Sequence, residues 1–184
     1  MRIVAGLYKG FSLKAPNSLK TRPTSDRARE TIFNILNNYI QDYNELEVLD
    51  VFAGSGALGL EALSRKATAA TFIEIDRDAI NIIHHNINHL KINDACKVLR
   101  LDATRLPHAS KKFNLIFIDA PYNKGLTKKA LSELFEKKWI AENAILVIEI
   151  SVSETFFFPS YLKFLNERHI GITKVILATI PSMQ

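Results

Sequence analysis

Two hydrophobic rhythms alternate along this chain. Short runs rich in β-branched and aromatic residues, at 48–52, 71–75, 97–101, 113–119 and 144–150, have the length and composition of buried strands. Between them the apolar residues recur at three- and four-residue spacing: Ile32, Phe33, Ile35 and Leu36, then Leu58, Leu60, Ala62 and Leu63, then segments 76–90 and 127–138. That spacing predicts amphipathic helices. Thr24, Ser25 or Asp26 can cap the first of them, because a short side-chain oxygen there accepts an otherwise unpaired helix N–H. Strand alternating with helix predicts an α/β fold, a largely parallel sheet covered on both faces. Segments 164–170 and 172–180, hinged at Gly171, read as a closing antiparallel hairpin. Segments 2–7 and 11–14, around Tyr8, Lys9 and Gly10, read as a smaller hairpin ended by Pro16 and Asn17. Phe156, Phe157 and Phe158 lie in a loop and are expected at the edge of the core.

The first strand runs straight into Gly54, Gly56 and Gly59. Glycines at such a turn permit positive φ and let a ligand approach the backbone. The helix that opens there offers free N–H groups. With Glu74 following, the pattern also fits the dinucleotide fingerprint, and several nucleotide-like cofactors share it. Four acids fall at or near strand ends: Asp50, Glu74 (with Asp76 beside it), Asp102 and Asp119. Each alone reads equally as a cap or turn residue. Together they line the edge where an open parallel sheet binds its ligand. Carboxylates suit hydroxyls, amines and a cation better than a pyrophosphate. A ligand with a ribose, an adenine amine and positive charge matches them, and S-adenosylmethionine has all three. A dinucleotide domain uses two mononucleotide halves, and no second half follows here.

Asp119-Ala120-Pro121-Tyr122 closes the fourth run. Pro121 pushes Ala120 toward an extended conformation. An acceptor beside a flat aromatic suits the exocyclic amine of a nucleobase, whose lone pair is delocalised into the ring; a base in a duplex would first have to leave its stack. The same tetrapeptide also reads as a plain strand-to-helix turn.

Charge adds a partner to this picture. The net charge is +5, and residues 1–30 hold seven cations against two acids, while the remainder is balanced at seventeen of each. A basic N-terminal segment, with Arg2, Lys9, Lys14 and Arg22 interleaved with Tyr8 and Phe11, suits a polyanion such as RNA. The same features would serve a solvated arm pinned to the body by its aromatics. No apolar run approaches the ~20 residues of a membrane span, no signal-peptide pattern is visible, and Cys96 is the only cysteine; a cytoplasmic protein is expected. His85 and His89 have ligand spacing, but with His84, Asn86 and Asn88 around them they read as a polar helix face, and no metal is expected.

The stretches 22–31, 50–62, 73–77 and 119–122 carry a specific resemblance to the class I S-adenosylmethionine-dependent methyltransferases, and within them to the RsmD family, which methylates a guanine N2 of small-subunit ribosomal RNA. It runs over essentially the whole chain. It implies a Rossmann-like, mostly parallel seven-stranded sheet at 21–184, preceded at 1–20 by a basic RNA-contacting extension holding Arg2, Lys9 and Lys14, with Arg22 just beyond. It implies that Thr24 and its neighbours hold the methionine end of the cofactor, with Asp50, Gly54 and Gly56 beneath it. Glu74 would bind the ribose, Ile75 would flank the adenine, and Asp102 would meet its amine. Asp119, Pro121 and Tyr122 would hold the target base. The family's usual tetrapeptide has two prolines, whereas Ala120 stands in the second position here. The implied partner is small-subunit ribosomal RNA or an assembled 30S particle, met by a monomer. The same tetrapeptide could serve adenine N6 in DNA or another RNA, and a non-catalytic RNA-binding assembly factor could keep the fold.

Overall fold

The computed structural model describes residues 1–16 and 25–181. Seven strands form one sheet: β1 (Glu47–Val51), β2 (Ala69–Glu74), β3 (Cys96–Arg100), β4 (Phe113–Asp119), β5 (Ile140–Ser151), β6 (Lys163–Ile170) and β7 (Thr173–Thr179). Their spatial order is β3-β2-β1-β4-β5-β7-β6. The first five are parallel, and β7 runs antiparallel between β5 and β6. Strand order reverses at β1, whose neighbours β2 and β4 carry the chain in opposite directions across the sheet, so a crevice opens at the carboxyl edge there.

Side chains of a strand alternate between faces, and burial follows that alternation. Val48, Phe72, Phe117 and Val147 pack with α1 (Asp26–Leu36), α2 (Ala57–Ser64) and α3 (Arg77–Leu90). Leu49, Ile73, Ile116, Ile118 and Ile148 pack with α4 (Leu126–Glu136). Among the described residues the cover is therefore unequal: three α-helices lie on one face and one on the other. Ala103, Leu106 and Leu162, from the connections after β3 and β5, complete the second layer. Ser25 caps α1 by accepting from Ala28 N–H at 3.1 Å. β5 begins four residues before the expected strand, because a register shift opposite Phe113 and Leu115 and a left-handed Asn143 (φ 57°) absorb the extra residues as a bulge. The three phenylalanines of the 154–159 loop do not all meet the core edge. Phe156 and Phe158 pack on it, but Phe157 is 77% exposed; the segment is not helical, and consecutive side chains point to opposite sides.

The N-terminal segment holds a single antiparallel bridge, Arg2 to Ser12, rather than two full strands. Past that bridge the backbone N–H groups turn to α2. Glu61 of α2, fully buried, accepts from Val4 N–H at 2.8 Å and Ala5 N–H at 3.0 Å. Ser64 accepts from Leu7 N–H at its carbonyl (2.7 Å) and from Tyr8 N–H at its hydroxyl (3.0 Å). At Gly6 (φ 82°) a Cβ would lie 1.9 Å from the Ser64 carbonyl oxygen, so only glycine lets the chain pass. Asn86 does not lie on the polar face of α3 where its spacing placed it. It is 1% exposed, accepts from Lys14 N–H at 2.8 Å and donates to the Lys14 and Ser55 carbonyls at 3.0 Å each. Ile3 and Leu13 join the core of the first layer.

Glu61 also accepts from Arg65 Nε at 3.0 Å. Replacing it with alanine strands two part-buried N–H groups and a guanidinium that is 13% exposed. We expect Glu61→Ala to lower unfolding free energy by about 3 kcal/mol, read from the denaturant midpoint, with amide exchange at Val4 and Ala5 accelerating first. A midpoint equal to wild type would show that Glu61 does not hold the segment.

Candidate functional site

The carboxyl ends of β1, β2 and β4 meet at the crevice, and the glycine turn forms its floor. The chain leaves β1 through Phe52 at φ 61°, a strained conformation for a bulky residue. Ala53 N–H to the Ile73 carbonyl (3.1 Å) and Gly56 N–H to the Ala53 carbonyl (2.7 Å) hold the turn. Gly54 and Gly56 have φ of 56° and 76°, and a Cβ built on Gly54 would meet nothing closer than 3.9 Å, so the crevice is open above it. Gly59 is needed for a different reason: a Cβ there would lie 2.5 Å from the Phe72 ring.

Two carboxylates fix this turn from opposite sides. Glu74 ends β2 and accepts from Gly54 N–H (2.9 Å), Ile75 N–H (2.8 Å) and Asp76 N–H (3.0 Å). Its orientation is set by backbone, and of the roughly four lone-pair sites of a carboxylate it keeps one, on Oε2, for a ligand hydroxyl. Ile75, beside it, is an apolar side chain left 56% exposed, as a platform for a flat ring would be. Asp76 turns away and caps α3 by accepting from Ala79 N–H at 2.9 Å. Asp50 lies beneath the turn, 2% exposed, and accepts from Gly59 N–H at 2.9 Å. Burial pushes its carboxyl up to about 8; the Gly59 hydrogen bond opposes this, while the Asp119 and Glu74 charges add to it. Asp102 follows β3 and accepts from the Thr104 hydroxyl (2.7 Å) and N–H (2.8 Å) through one oxygen. Those two bonds hold its carboxyl below the usual range. These residues fit a ligand with a ribose, an adenine amine and positive charge.

Asp119 is the last residue of β4, half-buried at the edge. Ala120 is 2% exposed, and Pro121 faces solvent. The Tyr122 hydroxyl is 2.8 Å from the Thr173 hydroxyl at the start of β7. Asn123 N–H donates to the Glu154 carboxylate in the connection after β5. Two distant segments therefore anchor this turn. Neither Thr173 nor Glu154 was marked by any local motif.

The basic residues are not all near the crevice. Lys14 adjoins it through Asn86, which also holds the Ser55 carbonyl in the glycine turn. Arg2 pairs with Asp26 at the start of α1 at 3.4 Å and is exposed. Lys9 is exposed beside Tyr8, which bonds to the far end of α2, about 12 Å along that helix from the turn. Arg22 and Thr24 lie outside the described residues. Among the described residues no three His, Cys, Asp or Glu side chains group as metal ligands, and no helix is long and apolar enough to cross a membrane.

A family profile described as Conserved hypothetical protein 95 matches residues 1–179. The Ribosomal RNA small subunit methyltransferase D of Haemophilus influenzae is 38% identical over 176 residues, covering 94% of this chain and 90% of that protein. The protein of that name from Escherichia coli K12 is 40% identical over 152 residues, covering 83% and 75%. A solved structure described as "Putative methyltransferase yhhF from Escherichia coli" superposes with a TM-score of 0.86 at 34% identity, covering 100% of this chain and 99% of that one.

Asp50 generates a pH test. Its carboxyl is raised in the fold from an ordinary value of 3.8 to about 8, so between those limits the folded state binds the extra proton and stability falls as pH rises. Asp50→Asn cannot ionise, yet its amide oxygen can still accept from Gly59. We expect the variant to gain stability relative to wild type progressively from pH 3.8 to about pH 8, measured by denaturant titration. A difference that stays constant across that window would show Asp50 to be ionised throughout.

Proposed function

The chain belongs to the Conserved hypothetical protein 95 family, that of the RsmD-type methyltransferases, and from that premise we propose that it methylates the exocyclic N2 of a guanine in small-subunit ribosomal RNA. S-adenosylmethionine supplies the methyl group as an electrophilic sulfonium substituent. Glu74 would accept from one of its ribose hydroxyls, Ile75 would flank its adenine, and Asp102 would take the adenine amine with the carboxylate oxygen that Thr104 leaves free. Gly54 and Gly56 would pass beneath it, with Asp50 holding that turn from below through Gly59. Thr24 and its neighbours are assigned the methionine end.

The observation that carries this reading is the placement of Asp119 and Tyr122 one strand away from that cradle, on a turn anchored by Thr173 and Glu154. Asp119 accepts hydrogen bonds from the guanine amine and favours a more tetrahedral nitrogen, while Tyr122 stacks on the flipped base. As the amine is methylated, Asp119 would take an N–H proton and pass it on to water, the electron pair of the broken C–S bond staying with sulfur. Positioning and electrostatics carry the rate, without a covalent enzyme intermediate. Lys14 and Arg2, with Arg22, would meet phosphates close to the crevice and Lys9 a more distant one. The substrate is the ribosomal RNA or the 30S particle in the cytoplasm.

Asp119→Ala is expected to bind S-adenosylmethionine within about threefold of wild type by calorimetry, while methyl transfer falls by about 10²–10⁴-fold. An equal loss of binding and turnover would assign Asp119 to the cofactor cradle and remove it from the chemistry.

A further inference from the structure

Glu149 lies opposite Asp119 in the β4–β5 register. It is 3% exposed, within the run 144–150 of β5 whose other residues are all aliphatic, and its Oε1 finds no hydrogen-bond partner among the described residues. The charged groups that act on it come from three elements: Asp119 on β4, Asp50 on β1 and Arg29 on α1. Its β7 neighbour, Val175, is apolar. Arg29 is fully buried, and it donates to the Asp26 carboxylate at 2.8 Å and to the Arg2 carbonyl. An ionised carboxylate with an unpartnered oxygen at this depth is costly, whereas a neutral acid is far less so. Burial first, then the charges of Asp119 and Asp50, raise the Glu149 carboxyl well above the usual range against the opposing pull of Arg29. Two carboxyls on adjacent strands, ~4.8 Å apart at the backbone, do not ionise independently. The deeper one keeps the proton.

We propose that Glu149 is a positioning residue for the methyl transfer: neutral beneath the catalytic turn, it donates toward Asp119 and leaves the single negative charge of the pair there, facing the amine. This rests on the role assigned to Asp119 above. Without Glu149 the Asp119 carboxylate loses a donor that sets its orientation. With Glu149 ionised, two like charges meet across the strands and the donor is gone. In the reaction the amine proton still leaves through Asp119 to water, and Glu149 returns to its starting state at each turnover.

The test compares the purified chain with Glu149→Gln, Glu149→Ala and Asp119→Ala. At neutral pH, the infrared difference between wild type and Glu149→Gln is expected to show the carbonyl stretch of a protonated carboxyl. Glu149→Ala is expected to lower kcat by about 10–100-fold, the loss of one hydrogen bond to a charged group, with cofactor affinity and KM little changed. Glu149→Gln, which can also donate, should recover most of that loss and should lack the alkaline fall in kcat expected of wild type as Glu149 ionises. The absence of the infrared band, or a Glu149→Gln no better than Glu149→Ala when both melt as wild type, would overturn the proposal. The band is read without any reaction, so it stands apart from the role of Asp119. Wild-type turnover by Asp119→Ala would instead sink that role and this one with it.

Discussion

The carboxyl edge depends on two side-chain-to-backbone hydrogen bonds at one turn. Asp50 accepts from Gly59 below, and Glu74 accepts from Gly54 beside it. Between them the chain passes through Phe52, Gly54 and Gly56, all at positive φ. A backbone so bent holds one shape only when its neighbours fix it from more than one side. The result is an open crevice, with Glu74 and the exposed Ile75 at the end of β2 and Asp102 just after β3. Asp50 contributes from underneath, and its burial beside Asp119 and Glu74 leaves the sheet with several carboxyl groups crowded in a low-dielectric layer. A cationic ligand suits such an edge on electrostatic grounds alone, because it offsets charge that the fold has already gathered.

The N-terminal segment shares in that arrangement. Glu61, Ser64 and Asn86 each spend buried polar atoms on its backbone, and Asn86 ties Lys14 to Ser55 in the glycine turn. Lys14 is thus set by the same helix, α3, that braces the glycine turn flooring the crevice. On the proposed function, a phosphate held near Lys14 and a base presented to Asp119 would share one rigid frame, so binding energy from the backbone could serve to position the reacting nitrogen.

Strands β1, β2 and β4 and helices α2 and α3 could be read from the sequence because period and glycine placement are local properties. The acids at the strand ends could be found for the same reason. Contacts between distant segments were not legible. Tyr122 meets Thr173 across 51 residues, and no motif announces it. Asn86 reads as one polar residue among several on α3, and only the docked N-terminal backbone explains its burial. The hairpin expected at 2–14 shrinks to one bridge because α2 supplies rival acceptors, which a strand propensity cannot anticipate. Glu149 was visible as an acid within AILVIEI, but its meaning comes from register with Asp119 and from Arg29 on another element.

The proposed methyl transfer to a guanine amine of small-subunit ribosomal RNA is tested by incubating the purified chain and methyl-labelled S-adenosylmethionine with small ribosomal subunits from a strain lacking this protein, then digesting the RNA and identifying the labelled nucleoside by mass. Label in N2-methylguanosine is the expected result. Label in another nucleoside, or none while calorimetry shows the cofactor bound, would contradict it.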